Sequence, residues 1–441
     1  MTNLIVETSK YGMMFLMILY AFLNFRFFGL KDEDRQDRLC ASQNFLMFLI
    51  HFLAYLTIYL KTGNEEDVDK ILVFYWIQVF FFAAYLILSR VFYRNISRLL
   101  LNNMCMLLCV GFIMLTRLNI DRAVRQFAVV LASAIITWII PFIMDRAWQL
   151  SKIPWVYGII GLFLLLAVLV KGIASFGAQL SLEVGGIGFQ PSEFVKISFV
   201  FFIATMFYRS VDFRTVCITT VTAAVHVLIL VASRDLGSAL IFFITYVCML
   251  FIATSNYGYL LSGLAGGGGA ALLAYKLFPH VQVRVSAWLD PWSDIGNKGY
   301  QISQSLFAIG TGGWFGMGLC QGLPGRIPVV EKDFIFAAIS EEMGGIFAIC
   351  LVFICLGCYL QFMMVAVRMQ AVFYKLIAAG LGTVYITQVF LTVGGVIKFI
   401  PLTGVTLPLV SYGGSSIMST FILFLVIQGL YVLKKNEEEE E

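Results

Sequence analysis

Apolar runs long enough to cross a bilayer recur along almost the whole 441-residue chain, and they decide what it can fold into. A helical span needs about 17–25 mostly apolar residues. Runs of that kind lie near 11–29, 43–61, 71–89, 98–116, 126–144, 154–170, 191–208, 214–232, 236–254, 257–278, 333–362, 372–397 and 405–432. The chain is 60% hydrophobic and 13% charged, whereas soluble globules are about 45–50% apolar; its mean hydropathy is +0.89. The expected fold class is therefore an all-α polytopic membrane protein of about thirteen helices.

A net charge of +4, scattered through loops, is no nucleic-acid footprint. Its distribution gives orientation instead. Arg90, Arg94 and Arg98, then Arg146 and Lys152, Arg209 and Arg214, and Lys434 and Lys435 all fall on one side of an alternating topology, the cytoplasmic one by the positive-inside rule. Glu65, Glu66 and Asp67 and the long segment 279–332 then face outside, as does the N-terminus. Arg117, Arg122 and Arg125 oppose this orientation. The first run lacks a small-residue cleavage site and reads as a helix, not a signal peptide. Cys355 and Cys358 form a CxxC inside a helical run, where packing explains them better than redox or zinc chemistry. His51, His226 and His280 make no metal spacing. The four glycines at 266–269 lack the Lys-Ser/Thr of a phosphate loop and predict close helix packing. Glu437 to Glu441 read as a solvated tail.

Charged side chains within spans are costly and mark functional candidates. In GFQPSEFVKI (188–197), Pro191 suits the first helical turn and Glu193 its positive end. Lys196 lies about 7.5 Å beyond Pro191 along the axis, either paired with Glu193 or poised for an anion; on the residues alone both readings stand. In ASRDLGSA (232–239), Asp235 predicts a helix cap with Arg234 snorkelling. In EKDFIFAAISEEMG (331–344), Asp333 predicts a cap, while Glu341 and Glu342 require that at least one meet a polar cavity or a basic partner. In PLTGVTLPLVSYGGSS (401–416), prolines and glycines interrupt a span. Irregular backbone at membrane depth must line protein or a cavity, and Ser411, Ser415 and Ser416 either satisfy it or grip a polar head group.

The polar stretch WLDPWSDIGNKGYQ (288–301) holds two aspartates. Asp290 before Pro291 predicts the cap of a short helix. Asp294, one turn later, has no capping role and is the better chemical candidate.

In this order, QPSEFVK, SRDLGSAL, DPWSDIGNKGYQ, DFIFAAISEEMG and PLTGVTLPLVSYGGSS resemble the motif series of the SEDS family (shape, elongation, division and sporulation; RodA/FtsW/SpoVE) of peptidoglycan glycosyltransferases. FIMLTRLNIDRAVRQFAVVLA (112–132) resembles the family's first two helices. The resemblance implies a ten-helix core over 98–433, with an external catalytic loop at 279–332, preceded by an extension of about three helices (1–97) and followed by a charged tail (434–441). Two departures stand out. AQLSLEVGGIGF (178–189) replaces the family's Arg-Trp-Ile, and Lys398 adds a charge before the PLTG turn. The three extra helices are expected to be packing.

The resemblance implies a lipid II polymerase of the bacterial cytoplasmic membrane, its active site facing outside. Asp294 aligns with the family's catalytic aspartate. Glu193, Lys196, Arg234, Asp235, Gln301, Asp333, Glu341, Ser411, Tyr412, Ser415 and Ser416 are the implied substrate-binding residues, and Trp288, Trp292 and Tyr300 shape the sugar site or lay the loop on the membrane. No protein metal cluster is expected, with a magnesium or manganese ion between Asp294 and the phosphates as the alternative. The implied partners are a class B penicillin-binding protein and other elongation or division proteins. The rival readings are a lipid II flippase, which needs no external base, and a non-catalytic scaffold, which needs no polar groove.

Overall fold

The computed structural model describes residues 2–63, 65–144, 147–175, 178–184 and 187–440. Arg146, Gly185, Gly186 and Glu441, used in the sequence reading, lie outside the described residues. In chain order the helices are α1 (Thr2–Phe28), α2 (Glu33–Lys61), α3 (Glu65–Phe92), α4 (Arg98–Leu118), α5 (Ile120–Thr137), α6 (Ile140–Met144), α7 (Pro154–Lys171), α8 (Pro191–Arg209), α9 (Phe213–Ala232), α10 (Leu236–Thr254), α11 (Tyr257–Leu277), α12 (Pro279–Leu289), α13 (Tyr300–Gly312), α14 (Ile335–Met343), α15 (Gly345–Arg368), α16 (Val372–Val396) and α17 (Gly414–Glu440). Among the described residues thirteen spans are long and apolar enough to cross a membrane, α5 and α6 together making one. The expected polytopic all-α class holds.

Three local expectations change. The run at 333–362 is two helices, because the chain breaks at Gly344 with φ +93°. A Cβ there would fall 2.5 Å from the Gly316 amide nitrogen, so only glycine fits. The last span starts only at Gly414, leaving an irregular stretch before it. The segment 178–189 contributes to a small antiparallel sheet of β1 (Ile173–Ser175), β2 (Ala178–Val184) and β3 (Ile187–Phe189), ordered β1-β2-β3. Alternation of Leu180, Leu182 and Val184 with Gln179, Ser181 and Glu183 is the period-two signal behind it.

Packing centres on α4, whose residues from Leu99 to Thr116 are all buried. α2 packs on it and α1 on α15, and both reach α4 through buried polar links. Asn103 Nδ2 donates to Asn24 Oδ1 (2.7 Å), and Tyr20 donates its hydroxyl to Asn103 Oδ1 (3.2 Å). Asn102 Nδ2 reaches the Cys40 carbonyl (2.9 Å), and the Tyr55 and Thr116 hydroxyls meet at 2.8 Å. Interhelical hydrogen bonds of this kind replace the hydrophobic drive that lipid surroundings lack. The glycine run at 266–269 differs from its expectation. α11 has no buried residue, and only Gly267 packs closely, against the Phe243 ring; Gly266, Gly268 and Gly269 face open space.

The two faces of the bundle are fixed by their loops. On the C-terminal face Lys435 pairs with Glu33, Arg98 with Asp37 (both 2.5 Å), and Asn95 donates to Asn436 (3.0 Å). The opposite face carries α12 to α14, their connections and the sheet. Two of the arginines that argued against the orientation are neutralised there: Arg117 pairs with the fully buried Glu342 at 3.1 Å, and Arg122 pairs with Glu331. Glu342 also accepts from the Cys320 and Gly322 amides, both at 3.2 Å, and so fixes the turn at 317–323. Removing one partner of a buried pair strands the other charge, at a cost of about 3–5 kcal/mol. Arg117→Ala should therefore lower the thermal unfolding midpoint in detergent, and adding Glu342→Gln should recover much of the loss; equal midpoints for Arg117→Ala and wild type would show that the pair does not hold the loop.

Candidate functional site

Helix α8 begins at Pro191, whose fixed φ and missing N–H suit a first turn. That start brings Glu193 and Lys196 to its buried side. Lys196 Nζ donates to Glu193 Oε2 at 2.5 Å and to Gln388 Oε1 at 2.8 Å. Glu193 accepts a further bond from the Ser419 hydroxyl (2.8 Å), and Gln388 donates onward to the Thr406 carbonyl (3.0 Å). The ion pair read from the sequence exists. Lys196 nonetheless also borders open space.

That space is a cavity of about 380 Å³ on the face opposite the C-terminus, walled by the starts of α8 and α10, by α12, by the head of α13 and by the segments 329–333 and 402–406. Asp235 caps α10 as expected, its Oδ1 accepting from the Ser238 amide (3.1 Å), and its Oδ2 accepts from the Ser192 hydroxyl (3.1 Å). The left-handed backbone of Arg234 (φ 62°) makes the hairpin between α9 and α10, and its side chain borders the cavity. Asp333 departs from the cap reading: α14 is headed by Phe334 with no side-chain cap bond, and Asp333 turns to the cavity, its Oδ2 only 3.7 Å from where a Cβ on Gly404 would lie.

Six of the sequence-predicted binding residues thus come together, namely Glu193, Lys196, Arg234, Asp235, Gln301 and Asp333. The others act behind the wall. Ser411 donates to the Lys332 carbonyl (2.6 Å) and accepts from the Leu407 amide (2.9 Å), while the Tyr412 amide donates to the Glu331 carbonyl (2.8 Å). Ser415 accepts from the Gln190 amide (3.0 Å), and the Ser416 and Thr406 hydroxyls meet at 2.8 Å. Ser411, Tyr412 and Ser415 thus pair backbone groups, Ser416 pairs a side chain, and all four tie the segments behind the wall together. Glu341 accepts from the Leu323 amide (3.0 Å) and does not border the cavity; the basic partner expected for the adjacent carboxylates belongs to Glu342.

The aspartate loop also departs from its expectation. Residues 291–299 form successive turns, not a helix. Asp290 ends α12 and its Oδ1 accepts from the Trp292 amide (3.1 Å), capping a turn. The Asp294 carbonyl accepts from the Asn297 and Gly299 amides, and its Oδ1 accepts from Asn297 Nδ2 at 3.1 Å. The chain curls so tightly that a Cβ on Gly299 would come within 2.0 Å of the Pro291 carbonyl oxygen. Asp294 is half-buried and is not among the residues that line the cavity; Lys298, in the same turns, is. Trp288 donates to the Lys398 carbonyl (3.1 Å), Trp292 packs on Phe307, and the Tyr300 ring is exposed, so none of the three rings lines the cavity.

Three cations were missed by sequence reading: Arg284, Lys298 and Lys332. Arg284 donates to the Leu402 and Thr403 carbonyls (3.3 and 3.1 Å), tying α12 to the irregular segment. Their only sequence signal was basic residues within the polar stretch 279–332. With Lys196 and Arg234 they make five cations against three carboxylates in one cavity. Burial pushes the Asp333 carboxyl above its ordinary range, against the pull of Lys332 and Arg284. Asp235 is also raised by burial, opposed by its Ser238 and Ser192 hydrogen bonds. Burial lowers Arg284, opposed by Asp235 and Asp333. The sign follows: as pH falls through these raised values the carboxylates neutralise first and the cavity gains net positive charge. Binding of a pyrophosphate diester, which keeps its charge over that range, should tighten as pH falls through these raised values, and Asp333→Asn should bind more tightly above them with a flatter profile; an unchanged profile in that variant, read by equilibrium binding in detergent, would remove Asp333 from the ligand's field.

Among the described residues no three His, Cys, Asp or Glu side chains converge as a metal cluster. The carboxylates in the cavity lie beside cations, and both oxygens of Asp235 are already engaged.

Residues 97–436 match the FtsW/RodA/SpoVE family model, described as a cell cycle protein. The chain is 32% identical over 379 residues to the peptidoglycan glycosyltransferase RodA of Mycobacterium tuberculosis (strain ATCC 25618 / H37Rv), covering 79% of this chain and 80% of that one. It is 31% identical over 374 residues to the probable peptidoglycan glycosyltransferase FtsW of Saccharophagus degradans, covering 79% and 95%. Among solved structures, a chain from work on the structural coordination of polymerization and crosslinking by a peptidoglycan synthase complex shares the fold with a TM-score of 0.65 at 23% identity, covering 78% of this chain and 99% of that one. The crystal structure of the rod shape determining protein RodA of Thermus thermophilus gives a TM-score of 0.58 at 21% identity, covering 76% and 96%. With its match over most of its length, its multi-pass helical fold and the five motifs gathered around or behind one polar cavity, the chain belongs to the SEDS family of RodA, FtsW and SpoVE.

Proposed function

We propose that this protein polymerises lipid II into glycan strands at the outer face of the bacterial cytoplasmic membrane. As a member of its family it is a peptidoglycan glycosyltransferase. The observation that carries the finer reading is the cavity's charge: five cations face three carboxylates, an excess suited to a pyrophosphate. Lys196, Arg234, Arg284, Lys298 and Lys332 hold the pyrophosphate and stabilise the charge that develops on it as it leaves. Asp294, in the turns that carry Lys298 to the cavity, is the general base. It takes the proton from an acceptor sugar hydroxyl while that oxygen bonds to the anomeric carbon of the growing chain; the bond from that carbon to phosphate breaks, and the lipid pyrophosphate departs with the electron pair. Asp294 approaches the acceptor only once sugar occupies the mouth, since catalytic contacts commonly tighten in the substrate complex. The chain's own cations carry these steps; a magnesium or manganese ion, if bound, would be held by Asp294 and would add positive charge for the leaving group. A class B penicillin-binding protein is the partner that crosslinks the product, a reading supported by the solved chain from a synthase complex.

The test is glycan synthesis from purified lipid II, with and without that partner, resolved on a gel. Asp294→Asn should retain lipid II and lose strand synthesis by about 10²–10⁴-fold, whereas Asp290→Asn, still able to cap its turn, keeps substantial activity. Exchanged phenotypes would exchange the roles of the two aspartates; flipping in vesicles with no polymer would favour a transporter.

Orientation is tested separately. Cys40 is fully buried and reports nothing; exposed Ser293 and Lys31 lie on opposite faces. An impermeant thiol reagent on intact cells should label Ser293→Cys and spare Lys31→Cys, and the reverse would sink the external site.

A further inference from the structure

A second charged cavity lies on the C-terminal face, far in sequence from any residue of the proposed active site. Its volume is about 250 Å³, and it is lined by Leu23, Arg26, Leu30, Arg35, Arg38, Leu39 and Ser42. Arg26 belongs to the last turn of α1, and Arg35 and Arg38 lie one turn apart near the start of α2. The connection between them is drawn tight: Gln36 Nε2 donates to the Leu30 carbonyl (2.7 Å), and the Gly29 amide donates to the Arg26 carbonyl (3.1 Å). Three guanidiniums are thereby brought to the end of two spans, where bilayer meets water, over a leucine floor.

The neighbouring carboxylates are mostly engaged elsewhere. Glu33 pairs with Lys435 and Asp37 with Arg98, while Asp32 holds Arg35 at 3.1 Å. Among the described residues Arg26 and Arg38 form no ion pair, and both are exposed. Unpaired arginines beside apolar side chains suit a ligand with a phosphate and a greasy tail: the planar fork bonds phosphate oxygens bidentately, and basic pockets at helix ends are where anionic lipid head groups collect.

We propose that this pocket binds the phosphate of an anionic phospholipid in the leaflet bordering the C-terminal face, with an acyl chain against Leu23, Leu30 and Leu39. Arg26 and Arg38 bind the phosphate, and Arg35, held by Asp32, completes the cationic rim. The site is independent of the polymerase reading.

The test uses the full chain in a neutral detergent, with native mass spectrometry to follow retention of phosphatidylglycerol and phosphatidylcholine. The wild-type protein should retain phosphatidylglycerol preferentially. In Arg26→Gln/Arg38→Gln its affinity should fall roughly 30-fold, at about fivefold for each arginine near a membrane surface, with phosphatidylcholine binding unchanged. Arg214→Gln, an exposed arginine elsewhere on the same face, should behave as wild type. Because both pocket arginines are exposed, the double variant should keep its thermal midpoint. Equal retention of phosphatidylglycerol by the double variant and wild type overturns the proposal. So does displacement of the lipid by glycerol 3-phosphate at equal concentration, which would make the ligand a soluble phosphate.

Discussion

The non-helical backbone between α16 and α17 is the constraint on which the site depends. Without water at hand, each free N–H and C=O costs several kcal/mol in a membrane, so this segment exists only because neighbouring helices supply its partners. Gln126 on α5 clamps both ends of one turn, donating to the Ser411 carbonyl (3.0 Å) and accepting from the Gly413 amide (3.2 Å). Thr392 and Gln388 on α16 donate to the Val405 and Thr406 carbonyls, both at 3.0 Å, and Arg284 takes those of Leu402 and Thr403. What this network holds open is one wall of the cavity.

The same network reaches the charges. Gln388 links the irregular segment to Lys196, and Lys196 links it to Glu193 and then to Ser419 on α17. A buried ammonium is costly unless it is paired and hydrogen-bonded; here the carboxylate pairs it and the amide fixes its direction. Ser411, through the Lys332 carbonyl, extends the arrangement to the opposite wall. The motif serines are thus positioning residues, with the charged groups in front of them. The close approach of Gly237 to Val405, where a Cβ would lie 2.3 Å from Cγ2, lets the head of α10 and its Asp235 sit against this wall.

The N-terminal helices bear on the same face. Tyr11 packs on Phe315 with ring centroids 6.1 Å apart, and Gly318 faces Val6 and Lys10, so α1 buttresses the turn that Glu342 and Arg117 fasten from beneath. Packing of the extension is therefore continuous with the loop between α13 and α14.

Much of this was legible in the chain itself. Length and hydropathy determine the thirteen spans, because any run of about twenty apolar residues must satisfy its backbone as a helix in lipid. Local rules determine the Pro191 start of α8 and the Asp235 cap, and they offer the Glu193–Lys196 pair as one of two open readings, all within one or two helical turns. Where an outcome turned on distant partners, local rules failed. Asp333 faces the cavity and caps nothing, and Arg284, Lys298 and Lys332 converge from three separate stretches that no spacing connects. The loop of Asp290 and Asp294 curls into turns because Gly299 must lie against Pro291, a contact that a helix there would forbid. Local pattern was thus enough for the spans, the Asp235 cap and the residues costly enough to need a partner. Only the tertiary structure decided which partner each received, since a buried charge or an open carbonyl is satisfied by whatever the packed helices bring within about 3 Å of it.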